Sequence, residues 1–179
     1  MDNFEQKDLI VIENQTCPIC MAEKATLSTY EIDDPFAGPI MIYSIKCNAC
    51  GYKSSDLEFL DERDPAEYKI DIESIDDLNI RIIKSGECLV KIPNIRMELD
   101  SAESSDGFIS NVEGLLLRFK KSAEILKESE EDNDAKKKIK NVIKTIDDVL
   151  RGEKKITIKL IDKTGNSAII SEKAQVKKL

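Results

Sequence analysis

The sequence predicts a mainly β fold with a helical insertion, on three observations. Two Cys-x-x-Cys pairs, Cys17-Pro18-Ile19-Cys20 and Cys47-Asn48-Ala49-Cys50, are separated by 26 residues. Apolar residues alternate with polar ones at Tyr68, Ile70 and Ile72, at Cys88, Val90 and Ile92, at Ile95, Met97 and Leu99, and at Ile156, Ile158 and Leu160, the period-two signature of half-buried strands. From Val112 to Leu126 and from Ile139 to Leu150 the apolar step changes to three and four, which is that of amphipathic helices. The chain therefore divides into a four-cysteine module at 1–60 and a β domain at 61–179 carrying a helical hairpin at about 110–152.

The first element, Leu9-Ile10-Val11-Ile12, is a short apolar run compatible with a strand or with one helical turn. It leads into the first cysteine pair. Two intervening residues let one tight turn aim both sulfurs inward, and Gly51 after the last cysteine supplies backbone freedom for such a turn. A lone Cys-x-x-Cys can serve redox chemistry, but two of them at this separation fit a zinc ribbon, and four thiolates suit tetrahedral zinc. Such a shell leaves no open position for a substrate water, so the expected cofactor is one structural Zn2+ held by Cys17, Cys20, Cys47 and Cys50. Between the pairs, Thr26 to Ile32 and Ile40 to Ile45 read as the two strands of a hairpin, broken by the proline- and glycine-marked loop Asp33 to Pro39. Phe36 and Ile40 are expected to be exposed apolar tips of that hairpin. Cys88 has no partner at ligand spacing and lies in a strand alternation, so it is expected to be a buried small hydrophobe.

In the second region the strands predict an antiparallel sheet or sandwich, closed by the turn Asp162 to Asn166 and the run Ala168-Ile169-Ile170. Ser110 and Glu113 match a capping box that opens the first helix of the hairpin. The acidic stretch Glu128 to Asp134 reads as the connection, Lys136-Lys137-Lys138 as the start of the second helix and Gly152 as its stop. The tail from Lys173 to Leu179 is expected to fray.

Histidine is absent, which removes the commonest general base and every mixed Cys/His zinc site. The formal charge of -8 makes the average surface repel phosphate backbones. That charge is uneven: Asp56 to Asp77 holds ten acids against Arg63 and Lys69, whereas Glu153 to Leu179 holds seven lysines against three acids. Either the acidic stretch attracts a basic partner, or these are solvated strand edges that keep the protein soluble. No run of about eighteen apolar residues occurs, and Met1 to Asp8 has neither the basic region nor the apolar core of a secretory signal. The expected location is the cytoplasm, where thiolates stay available to metal.

Several segments, in order, resemble the ZPR-type zinc-finger family. They are Cys17-Pro18-Ile19-Cys20, the β run Ile40 to Lys46 into Cys47-Asn48-Ala49-Cys50-Gly51-Tyr52, and Asp77-Leu78-Asn79 with Lys84-Ser85 and Ile92-Pro93. Gly107 with Ser110-Asn111-Val112-Glu113-Gly114-Leu115-Leu116, and Gly165-Asn166-Ser167 with Ile169, complete the set. The family's double threonine is here Ser110-Asn111, its Asp-Pro before the glycine is Lys163-Thr164, and its arginine after Leu-Asn falls at Arg81 behind Ile80. The resemblance covers nearly the whole chain and is to a single-module, archaeal-like member. It implies a zinc ribbon followed by a β domain akin to a double-stranded β-helix with a helical hairpin insertion. It also implies a function, because the eukaryotic relatives bind translation elongation factor 1-alpha and assist its folding.

The expected function is therefore a non-enzymatic, zinc-binding interaction module for elongation factor 1-alpha. Its candidate contact residues are Phe36, Ile40, Asn111, Glu113, Asp162, Gly165 and Asn166. The alternative is a nucleic-acid-associated ribbon in transcription or RNA metabolism. Charge argues against it, since Lys24, Lys46 and Lys53 around the ribbon are sparse and lack interleaved aromatics for base stacking. An oxygenase-like enzyme would need a two-histidine-one-carboxylate triad that this chain has no histidine to supply.

Overall fold

The computed structural model describes residues 7–99 and 107–179. The segment whose composition argues against a leader therefore lies largely outside the described residues. The first sheet is antiparallel with strands in sequence order: β1 (Lys7–Thr16), β2 (Glu23–Asp34), β3 (Gly38–Cys47) and β4 (Lys53–Phe59). The run Leu9 to Ile12 is thus a strand, at the edge of this sheet, paired with β2 through Ile10↔Thr29 and Ile12↔Leu27. Both cysteine pairs lie in the turns at one end, where β1 passes to β2 and β3 passes to β4.

The remaining strands are β5 (Ala66–Ile72), β6 (Arg81–Lys84), β7 (Leu89–Ile92), β8 (Met97–Leu99), β9 (Phe108–Asn111), β10 (Ile156–Asp162), β11 (Ala168–Ile170) and β12 (Gln175–Lys178). They form a five-stranded sheet, β12-β5-β10-β7-β8, and a three-stranded sheet, β11-β6-β9. Between β9 and β10 stand α1 (Val112–Ser129) and α2 (Asn133–Leu150). Alternation places Ile70, Ile72, Val90, Ile92, Ile158 and Leu160 inward, and they share one core with Leu115, Leu116 and Phe119 of α1 and Ile146 and Val149 of α2. Each such side chain contributes roughly 1.5–3 kcal/mol of burial, so the hairpin is anchored as part of the domain core. Cys88 lies fully buried in this cluster, as a small hydrophobe would.

A second, smaller cluster joins the zinc-bearing sheet to the rest. Ile32, Ala37 and Ile40 pack with Ile83 of β6 and Ala168 of β11. Ile40 is therefore not an exposed tip: its side chain is 0% accessible because the hairpin's loop end is buried against the β domain.

Three local expectations change for identifiable reasons. Asn111, not Ser110, caps α1, its Oδ1 accepting from Gly114 N at 2.8 Å. Ser110 Oγ instead lies so close to Gly114 that a Cβ there would come within 2.3 Å of it. Helix α2 begins at Asn133, capped by Asp132, so only 130–132 separate the helices and both run into the acidic stretch. Gly152 does close α2, with φ +74 and its N–H donating to Val149 O at 2.8 Å. The tail does not fray: β12 pairs with β5 in the register Gln175↔Lys69 to Lys178↔Ala66.

That pairing also answers the uneven charge. β5, within the acidic stretch, lies between β10 and β12, which carry or adjoin the C-terminal lysines. Lys155 meets Glu73 at 2.8 Å, Lys159 meets Glu67 at 3.3 Å, Lys173 meets Asp77 at 2.6 Å and Lys178 meets Asp64 at 2.5 Å. Four of the ten acids of the stretch are thereby matched within the chain.

Candidate metal centre and contact surfaces

The two cysteine turns are the same turn twice. In the first, Met21 N–H donates to Cys17 O at 3.0 Å and Cys17 N–H to Ala22 O at 3.0 Å; in the second, Gly51 N–H donates to Cys47 O at 3.1 Å and Cys47 N–H to Tyr52 O at 2.8 Å. Each turn also aims a backbone N–H at its first sulfur, Ile19 N at Cys17 Sγ (3.4 Å) and Ala49 N at Cys47 Sγ (3.3 Å). The residue after the second cysteine is left-handed in both, Met21 at φ 60 and Gly51 at φ 76.

The four Sγ atoms all lie within 4.8 Å of one another, with Cys17 to Cys50 at 3.8 Å and Cys20 to Cys47 at 3.7 Å. Tetrahedral zinc with Zn–S near 2.3 Å requires sulfurs about 3.8 Å apart, so the donor set fits the ion. Electrostatics favours a cation there as well. Backbone N–H bonding, first from Cys50 and then from Ala49, helps draw the Cys47 thiol down to about 6. At Cys50 the Tyr52 N–H favours the thiolate, but the Cys20 thiol, burial and the Cys47 and Cys17 thiols push the group up to about 12. Sulfurs this close ionise together only around a cation. The four cysteines hold a single structural Zn2+; Cys17 and Cys47 are buried beneath it and Cys20 and Cys50 face solvent.

The remaining residues expected from sequence do not form one surface. Phe36 is 53% exposed at the far end of the ribbon hairpin, where Asp34 Oδ1 accepts from Phe36 N at 2.8 Å and Ala37 N at 3.0 Å. Arg63 Nη1 donates to the Phe36 carbonyl. Gly165, at φ +70, packs on the neighbouring Asp64, whose carbonyl oxygen a Cβ would approach to 2.1 Å. Asn111 caps α1 and pairs across from Arg81, at the opposite end of β6 from Ser85, and Glu113 beside it is exposed. Asp162 is not at the surface. It is fully buried and accepts from Ser85 Oγ (2.8 Å), Ser167 N (2.7 Å), Ser167 Oγ (2.5 Å), Thr164 N (2.8 Å) and Thr164 Oγ1 (2.7 Å). Burial works to raise its pKa, but these donors prevail and hold the carboxyl below the usual range. Asn166 beside it is partly exposed, with Oδ1 buried and without a hydrogen-bond partner among the described residues.

One surface was missed. The outward face of the zinc-bearing sheet holds a shallow apolar depression of about 320 Å³ lined by Ile10, Ile12, Leu27, Tyr43 and Ile45. The only sequence signal for it was the apolar run of β1, whose type stayed open between helix and strand.

The family described as the ZPR1 jelly-roll domain matches residues 76–178. An uncharacterized ZPR1-like protein of Pyrococcus horikoshii is 35% identical over 168 residues, covering 91% of this chain and 75% of that protein. A ZPR1-like protein of Methanocaldococcus jannaschii is 33% identical over 162 residues, covering 90% and 82%. A zinc finger chaperone of Schizosaccharomyces pombe is 27% identical over 139 residues, covering 75% of this chain but 30% of its own length.

Proposed function

The chain belongs to the ZPR1 family, and from that premise we propose that it is a non-enzymatic binding module that holds translation elongation factor 1-alpha during its folding or handling in the cytoplasm. The apolar face of the zinc-held sheet carries this reading. Ile10 and Ile12 are 54 and 49% exposed along an edge strand, on one face, and they continue into Leu27 and Tyr43. A contiguous apolar patch beside an unpaired strand edge is what soluble proteins cover unless it serves an interface. The zinc then has a mechanical role, because it fixes one end of the sheet that presents the patch.

In this proposal the ribbon at 1–60 and the β domain at 61–179 present two contact regions, and engagement of one raises the effective concentration of the other. Phe36, Glu113 and the exposed part of Asn166 are secondary contacts, whereas Ile40 and Asp162 act by holding the fold. The test is capture from lysate of the source organism or a cultured relative, with zinc-loaded protein, the Cys17→Ser, Cys50→Ser variant and an Ile10→Lys variant, at two salt concentrations. Capture of elongation factor 1-alpha by the zinc-loaded form, lost in both variants, is the expected result. Recovery of nucleic acid instead, with a steep salt slope, would replace this reading by the nucleic-acid one.

A further inference from the structure

The basic residues differ in how they are matched. Four around the five-stranded sheet, Lys155, Lys159, Lys173 and Lys178, are matched to acids. Those in the body of α2 are not: Lys136, Lys137, Lys138 and Lys140 form no ion pair among the described residues, and from Ala135 to Ile146 five lysines occur without one acid. A solvated helix face that only serves solubility mixes both signs. Here, on a chain of net charge -8, the middle of one helix carries lysines alone.

Beside that helix lies a cleft of about 510 Å³ between the helical hairpin and the corner Asn94 to Met97. Ile95, Met97, Leu126 and Val142 line it with apolar surface, and Arg96 and Lys138 also border it. Arg96 sits at φ 53, a left-handed position where glycine carries no Cβ penalty. It is exposed and has no ion-pair partner among the described residues. An unpaired cation in a strained conformation, across an apolar cleft from the unpaired Lys138, is a constellation for an anion with an apolar body. Among the described residues, the lining contains no aromatic side chain on which a nucleobase could stack.

We propose that this cleft docks an acidic segment of a partner protein, with the segment's apolar side chains on Leu126, Val142 and Met97 and its carboxylates facing Arg96 and Lys138. The proposal rests on the reading of the chain as a protein-binding module and supplies the chemistry of one partner segment. At physiological salt the Debye length is about 8 Å. The local positive patch, not the net charge of the chain, therefore governs the final approach.

The experiment uses zinc-loaded full-length protein and a short fluorescein-labelled peptide with leucine at every third and fourth position and glutamate elsewhere. Its glutamine counterpart and a single-stranded RNA oligonucleotide are the comparators. The Arg96→Glu, Lys138→Glu variant changes two exposed side chains, and Leu126→Ser tests the apolar contact. The glutamate peptide should bind about tenfold more tightly than the glutamine one, a difference of about 1.4 kcal/mol, and both variants should weaken it by a similar factor with unchanged circular dichroism. Absence of binding, indifference to charge reversal, or tighter binding of RNA would overturn the proposal. Capture of elongation factor 1-alpha is measured in parallel on the wild type. Its failure would sink the functional reading without touching the cleft, and failure of the peptide would sink the cleft without touching capture.

Discussion

Exchanging the residues at the left-handed corner of each zinc turn, Met21→Gly in the first and Gly51→Ala in the second, should move zinc affinity in opposite directions. Met21 holds φ 60 with a side chain 70% exposed, so glycine there relieves backbone strain and forfeits no core contact. Gly51 holds φ 76, and a Cβ added to it would meet nothing within 4 Å, so alanine there adds strain without a clash. A side chain in the left-handed region costs roughly 1–2 kcal/mol, and the greater freedom of glycine in the unfolded chain offsets roughly 0.5–1 kcal/mol of it. The net is about 1 kcal/mol per exchange, or about fivefold in zinc dissociation constant where metal binding and turn folding are one event. Competition against a chromophoric chelator at fixed pH reads this directly. Met21→Gly should tighten binding and Gly51→Ala should weaken it. A shift of both in the same direction, or no change in either, would refute the claim that the two turns differ only in backbone strain.

Cys17→Ser or Cys50→Ser should abolish zinc binding and raise hydrogen exchange in both turns, while the joint of Ile32 and Ile40 with Ile83 and Ala168 keeps the far end of the ribbon protected; zinc retained at full stoichiometry would contradict the assignment. Gly165→Ala, with a Cβ 2.1 Å from the Asp64 carbonyl oxygen, should destabilise the fold by about 3 kcal/mol or more in denaturant unfolding, and a loss as small as that of Gly51→Ala would show that the turn moves aside freely. Lys173 is the main cause that holds Asp77 down, from 3.8 to about 2. A depressed carboxylate adds stability that is present above pH about 4 and lost as pH falls towards 2. Lys173→Met should therefore lower stability at neutral pH, and the difference from the unaltered protein should fall away as acid titration approaches pH 2.

What the sequence determined by itself is what depends on neighbouring residues. Two residues between cysteines set the sulfur geometry, period-two and period-three-to-four apolar spacing set the strands and the two helices, and Gly152 set a stop, all within a turn or two of chain. The same locality explains why the zinc site and the mainly β fold with its hairpin were legible. A continuous apolar run has no period, so the strand type of Leu9 to Ile12 was decided only by its pairing with β2. Asn111 replaced Ser110 as cap because Ser110 Oγ packs against Gly114. The remaining decisions were made by contacts between residues far apart in the chain. Ile40 is buried because Ile83 and Ala168 reach it, and Asp162 because Ser85 supplies a donor from 77 residues away. The tail becomes a strand because β5 accepts it, and contacts around β5 match part of the charge of both segments while leaving Lys136, Lys137, Lys138 and Lys140 of α2 without ion pairs among the described residues. Composition shows how much charge and apolar surface a chain carries; only the tertiary structure, by choosing which distant groups meet, decides how much of either is left for a partner.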